Sequence, residues 1–435
     1  MNKIIFFALC LVSPFVSLVA QNDAGYAIQF KIEDIPDKTL YIIGCHGSDY
    51  YIVDSAKVKK KGVVFKNKTR IIPAGIYQLA NNNCDSYLDF IVENDRDFTI
   101  TTSLKNPYFS ARIENSEENT LFFEYMKHKI ANDGTLEGFT NDLASFSNNS
   151  LLHFYLKTTQ YKFDSPAFDE IEDEDERLLQ QYLYFKNHFF DNLDLSDSRI
   201  LRIPVDYGIE YFFTEVVIHN PDSLKKEVDK FIALTKGNKE VRDYLLRELY
   251  FIFHVGDPVS DMLFVYLYEQ YCPDGQCDWL DELLARRFTR DYKRLYKLMP
   301  GKKVPPLEAY DENERKQSTD SIPNKNIILW FWDPDCEDCL DQTPVLYDFY
   351  AVYKDTYDIE VYAVSITEDV ERWERFTREN QLDWINVSYG MGEPNYDFVD
   401  YFDLLTTPAI YLINKDHVIL DRMFSLDDLH FIFDK

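Results

Sequence analysis

Trp330-Phe331-Trp332-Asp333-Pro334-Asp335-Cys336-Glu337-Asp338-Cys339-Leu340-Asp341-Gln342-Thr343-Pro344 carries an apolar strand end directly into a Cys-x-x-Cys pair at a helix start. That order has a chemical meaning. A cysteine at a helix N-terminus meets unpaired backbone amides and the positive end of the helix dipole, and both stabilise a thiolate. Cys336 is therefore the expected nucleophile, and Cys339, one turn later, can reach the same sulfur to resolve a mixed disulfide with a partner.

Outward from this segment, apolar patterning predicts a strand over 327–331, a helix from about Cys336, a strand over 359–366 and a helix over 370–380. Two further strands follow near 409–413 and 417–420. Strands alternating with helices and closing on a hairpin predict an α/β sheet with a crossover at its start.

With these residues in this order, the last third of the chain, about 300–435, resembles the thioredoxin superfamily. Within it, the chain is similar to secreted or periplasmic thiol-disulfide oxidoreductases related to cytochrome c maturation reductants. The matching features are Phe331-Trp332, Cys336, Cys339, Pro344 five residues past Cys339, and Thr407-Pro408 before an apolar strand. The resemblance implies that Pro344 kinks the helix and that Pro408 is cis and faces the cysteine pair. It also implies that the Thr407 backbone borders a groove beside Cys336 where an extended substrate strand pairs.

Departures from the family pattern modulate the expectation. Six residues before Cys336, where ordinary thioredoxins carry a buried acid that takes the resolving cysteine's proton, stands Trp330. Proton transfer then uses water or another group, for which Asp333 and Asp335 are the nearby candidates. Glu337-Asp338 replaces the usual Gly-Pro, and two carboxylates beside the helix start oppose a thiolate on Cys336 while favouring the helix. A less stabilised thiolate makes a less oxidising couple, so a reductant or isomerase is predicted, with a potential below roughly −200 mV. Pro334 and Trp332 read equally as residues that shape the turn and pack the core or as residues that contact substrate. The peroxide-reducing relatives need a threonine three residues before the reactive cysteine, and that position is Asp333, which disfavours peroxidase activity.

The remainder divides by periodicity. Period-two segments broken by Asp, Asn, Gly and Pro over 21–112 predict an antiparallel β-sandwich. Period-3.6 patterning over 113–299 predicts a helical domain, in which the acidic run 169–176 is a solvated helix start or loop. A Pro- and Gly-containing, polar stretch over about 300–326 reads as a linker into the last domain, 300–435. The three-part layout resembles multidomain secreted proteins of anaerobic Gram-negative bacteria.

The chain has 435 residues, and its 46 Lys and Arg against 75 Asp and Glu give a net charge of −29. Such a field repels phosphate backbones and argues against nucleic-acid binding. Residues 1–20 hold one charge, Lys3, then an apolar run and a small-residue exit ending at Ala20. They read as a cleaved export signal, leaving a periplasmic or secreted protein that does not span the membrane. Six cysteines follow that segment. Cys272 and Cys277 flank Pro-Asp-Gly-Gln and are expected to form a structural disulfide, while Cys45 and Cys84 are left for each other or free. The eight histidines fall in no metal-ligand spacing, and no metal or cofactor is expected.

The function expected from these residues is exchange of disulfides with other exported proteins, with electrons resupplied by a membrane-linked donor. The competing class is a binding or scaffold protein whose thioredoxin-like domain is inert.

Overall fold

The computed structural model describes residues 25–60, 62–131, 150–159, 165–254, 257–404, 406–422, 426 and 429–433. The expected export signal over 1–20 lies outside them. Contacts divide the chain into two compact units, one running to Val217 and including Glu227–Leu245, the other comprising Ile218–Lys226 and everything from Leu246 onward.

In the first unit, strands β1 (Tyr26–Ile32), β2 (Thr39–His46), β3 (Asp49–Lys57), β4 (Gly62–Asn67), β5 (Gly75–Ala80), β6 (Ser86–Val92), β7 (Asp97–Thr102) and β8 (Arg112–Glu114) form two four-stranded sheets. Their orders are β4-β1-β7-β8 and β3-β2-β5-β6. Alternation drives the packing: Tyr26, Ile28, Phe30 and Ile32 of β1 are all buried, with less buried residues between them. Phe30 of one sheet meets Phe90 of the other at 5.2 Å between ring centroids, and Phe90 meets Phe98 at 6.2 Å, so the inner faces share one aromatic core. The expected all-antiparallel sandwich needs one correction, because β1 pairs with β7 in parallel. Alternation places residues on a face and says nothing about strand direction.

Helix α1 (Glu117–Ala131) docks on this sandwich through a buried polar residue. The Asn119 side chain accepts from the Ile91 amide at 2.9 Å and donates to the Ile91 carbonyl at 2.8 Å, satisfying both backbone groups of one β6 residue. Helices α2 (Leu151–Thr159) and α3 (Glu174–Asn187) follow. Asp173 caps α3 by accepting from the Glu176 amide, so the acidic run is the helix start expected of it.

Helices α4 (Pro221–Ala233) and α5 (Lys239–Ile252) contribute residues to both units. In the second unit, Asp257 caps α6 (Pro258–Tyr271) and Asp281 caps α7 (Glu282–Tyr296). Between these two helices Cys272 and Cys277 are joined, with both sulfur-bearing residues buried.

A seven-stranded sheet of order β10-β9-β13-β12-β11-β14-β15 organises the rest of the second unit. Its strands are β9 (Glu308–Tyr310), β10 (Lys316–Ser318), β11 (Asn326–Trp332), β12 (Ile359–Ser365), β13 (Ile385–Ser388), β14 (Ala409–Asn414) and β15 (Ile419–Arg422). Central β11 is buried along its whole length, as its unbroken apolar run requires of a strand covered on both faces. It runs parallel to β12 and antiparallel to β14. Ile327, Leu329 and Phe331 face one core with Phe398, Phe402 and Tyr411, whereas Ile328, Trp330 and Trp332 face another with Cys339, Leu346 and Trp373. Helix α8 (Glu337–Tyr353) leaves β11, α9 (Val370–Glu379) leaves β12, and the short α10 (Phe398–Tyr401) precedes β14.

The stretch 300–326 differs from the linker expected of it. Val304, Leu307, Ala309 and Ile322 are buried in the core of the sheet, and β9 and β10 form its edge. Its apolar residues come singly between prolines and charges, too sparse a pattern to reveal two three-residue strands.

Candidate active site

The end of β11 and the start of α8 set the site. The chain leaves the sheet at Trp332, turns through Asp333, Pro334 and Asp335, and enters the helix with Cys336 as its N-cap. The Asp333 carboxylate accepts from the Asp335 amide at 2.8 Å, which fixes this turn. Cys336 Sγ accepts from the Cys339 amide at 3.3 Å, taking the place that a Ser or Asp oxygen usually occupies at a helix start. The same thiol donates to the Thr407 carbonyl at 3.2 Å. Cys336 is partly exposed; Cys339 is fully buried beneath it, and both are thiols here.

Burial, followed by the hydrogen bond to Cys336, pushes the Cys339 thiol up to about 12. The Asp333 backbone and the Thr407 side chain act in the opposite direction on that sulfur. Cys339 therefore keeps its proton at neutral pH while the more accessible Cys336 can react. The Thr407 carbonyl accepts from the Cys336 thiol, while its side chain acts to lower the Cys339 thiol. The peptide bond between Thr407 and Pro408 is cis.

The other residues expected at the site occupy distinct places. Glu337 and Asp338 are exposed on the first turn of α8, Pro334 is buried in the turn, and Pro344 lies inside α8 on its exposed side. Of the two readings of Trp332, packing in the core is the one found, and a place in the substrate groove is not. Trp332 is fully buried, with its ring 4.9 Å from that of Phe376 on α9. As the last residue of a central strand it alternates toward the helix-covered face, and burial there outcompetes exposure in the groove.

Three partners escape a reading of the sequence. Arg372 of α9 forms an ion pair with Asp335, placing a cation beside a segment that carries five carboxylates over 333–341. Trp330, at the position of the missing acid, donates its indole N–H to the Thr343 hydroxyl at 3.2 Å and so joins β11 to α8 in the core. The Thr407 side chain contributes as described above. A basic residue in the first turn of the helix after β12 was visible as a residue type, but its pairing required the fold.

Comparison with known proteins agrees with this geometry. Residues 324–419 match the thioredoxin-like family model, and this part of the chain is a thioredoxin-like domain within a multidomain protein. Residues 26–122, spanning the sandwich and part of α1, match a domain of unknown function, DUF4369. No curated protein matches the chain. Among solved structures, a domain of a possible thiol-disulfide isomerase from Cytophaga hutchinsonii is 31% identical, with a TM-score of 0.29, over 30% of this chain and 88% of that one. The thioredoxin domain of a thiol-disulfide oxidoreductase from Bacteroides vulgatus is 23% identical, with a TM-score of 0.29, over 31% of this chain and 96% of that one. A thioredoxin-like protein from Bacteroides caccae aligns over 62% of this chain and 98% of its own length, with 16% identity and a TM-score of 0.47.

Proposed function

We propose that this chain is an exported thiol-disulfide oxidoreductase that reduces or isomerises disulfides of other exported proteins. The observation that carries the reading is the division of labour between two cysteines one turn apart. Cys336 caps the helix with a partly exposed sulfur, and Cys339 sits buried and protonated behind it. An apolar segment over 4–15 in the sequence supports export, and among the described residues no helix is long and apolar enough to cross a membrane.

In the reductive direction, the Cys336 thiolate attacks one sulfur of a substrate disulfide. A bond forms between that sulfur and Cys336, and the other substrate sulfur leaves and takes a proton. The substrate segment extends along Thr407, whose carbonyl accepts from the reacting sulfur at 3.2 Å. Cys339 then loses its proton and attacks Cys336 Sγ, so the Cys336–Cys339 disulfide forms and the second substrate thiol is released. Thr407 and the Asp333 amide, which both lower the cost of ionising Cys339, assist that second step. A membrane-linked dithiol donor would return the pair to its reduced form, carrying two electrons and two protons per cycle.

The test is a pair of variants in the whole chain. Cys336→Ser is expected to abolish reduction of a protein disulfide, and Cys339→Ser to accumulate mixed disulfides that a reductant releases. Undiminished reduction by Cys336→Ser would overturn the reading, as would a Cys339→Ser variant that captures nothing.

A further inference from the structure

The helices before the thioredoxin-like domain contact residues close in sequence to Thr407. Arg294 of α7 forms an ion pair with Asp403, four residues before Thr407. Lys297, just past the end of α7, lies with its ammonium 4.4 Å from the centre of the Tyr401 ring in α10. On the other side of the same segment, Asp261 of α6 accepts from Arg422 at 2.8 Å, and both are buried. The Arg422 guanidinium lies 6.0 Å from the Tyr411 ring, whose hydroxyl donates to the Phe402 carbonyl at 2.9 Å. The helices thus contact Tyr401 and Asp403 directly and Tyr411 through Arg422, residues that lie in sequence on either side of Thr407, whose carbonyl accepts from Cys336.

We propose that Arg294, through Asp403, is a positioning residue for the Cys336–Cys339 pair, and that α6 and α7 belong to the working redox unit. This rests on the oxidoreductase reading above. The physical link is short. Arg294 and Asp403 are both partly buried, and Asp403 stands only four residues before Thr407 in the sequence. The Thr407 carbonyl accepts from the Cys336 S–H and so favours the dithiol. Releasing Asp403 lets that carbonyl withdraw, which removes the hydrogen bond that the dithiol alone can make and shifts the pair toward its disulfide.

The experiment equilibrates the whole chain with glutathione buffers, and in parallel measures the rate of Cys336 alkylation against pH, for wild type and variants. Arg294→Ala is expected to move the dithiol–disulfide equilibrium about tenfold toward the disulfide, roughly 30 mV for a two-electron couple. It should also speed Cys336 alkylation at neutral pH. Arg294→Lys, which keeps the charge, and the exchange of Arg294→Asp with Asp403→Arg are expected to return both values to within about twofold of wild type. A merely structural ion pair would alter unfolding and leave potential and pH profile unchanged, and that result overturns the inference. Should Arg294→Ala fail to fold, Lys297→Met decides: an equilibrium shift of about threefold in the same direction supports the inference, and a wild-type value overturns it. A wild-type pair that exchanges normally beside unaltered variants sinks this inference alone, whereas a wild-type pair that does not exchange sinks the oxidoreductase reading with it.

Discussion

Cys339 donates its backbone amide to the sulfur of Cys336 at 3.3 Å while its own thiol lies fully buried one turn behind. One residue thus supplies both a backbone dipole to the exposed sulfur and a second thiol within reach behind it. The two thiols differ because one is at the surface and the other is in the core, beside Trp330, Trp332 and Leu346.

That difference predicts selective alkylation. In the reduced native chain at pH 8, iodoacetamide should modify Cys336 and spare Cys339, whose thiol is pushed up to about 12 by burial and by Cys336. In denaturant, where Cys339 returns toward its ordinary value, its labelling should accelerate by about 100-fold or more. Equal native labelling of both, read by mass spectrometry, would contradict the burial argument.

The Asp261–Arg422 pair predicts a stability cost. Asp261→Ala leaves a buried guanidinium without its carboxylate and should destabilise the second unit by about 3–5 kcal/mol in denaturant unfolding. Replacing both, as Asp261→Leu with Arg422→Met, should recover most of that loss, because two apolar side chains need no partner. A double variant as unstable as the single one would refute the account.

Glu240 predicts a pH dependence in the first unit. The hydrogen bond with His46, together with the Arg202 charge and against the opposing effect of burial, holds its carboxyl down to about 2, from an ordinary value of 4.5. A carboxyl depressed on folding contributes stability that is complete above about pH 4.5 and is lost as pH falls toward 2. Wild type should therefore lose stability faster than Glu240→Gln across that window, a difference visible in thermal unfolding at stepped pH. Parallel curves for the two would show that Glu240 contributes nothing there.

The Trp330–Thr343 hydrogen bond predicts a core effect at the position of the missing acid. Thr343→Val should cost about 1–3 kcal/mol, because it leaves the buried indole N–H without an acceptor while preserving shape. Thr343→Ser should cost less, since its hydroxyl still reaches Trp330.

These features differ in how far the chain discloses them. The strand into Cys336 was legible because an unbroken apolar run ending at a Cys-x-x-Cys couples a period to a motif, and β11, β12, α8, α9 and β14 fall close to where the pattern puts them. The three-residue β9 and β10, and the four-residue β13, are too short to show a period, and each is defined by the neighbour it pairs with. For Trp332 the sequence leaves core packing and a place in the groove equally open, because the motif points outward while strand alternation turns the residue inward, where it is buried. The parallel pairing of β1 with β7, the reach of Arg372 to Asp335 and the grip of Arg294 on Asp403 join residues distant in sequence. No local pattern encodes such pairs.

The central claim is that Cys336 and Cys339 form a working redox couple, and its most direct measurement is an equilibrium one. The chain would be held in graded thiol buffers, alkylated, and each cysteine pair read by mass spectrometry. Cys336 and Cys339 are expected to interconvert reversibly between about −200 and −300 mV, while the buried Cys272–Cys277 disulfide stays oxidised throughout. A Cys336–Cys339 pair that stays in one state across the whole range would contradict the account and leave the domain a structural platform.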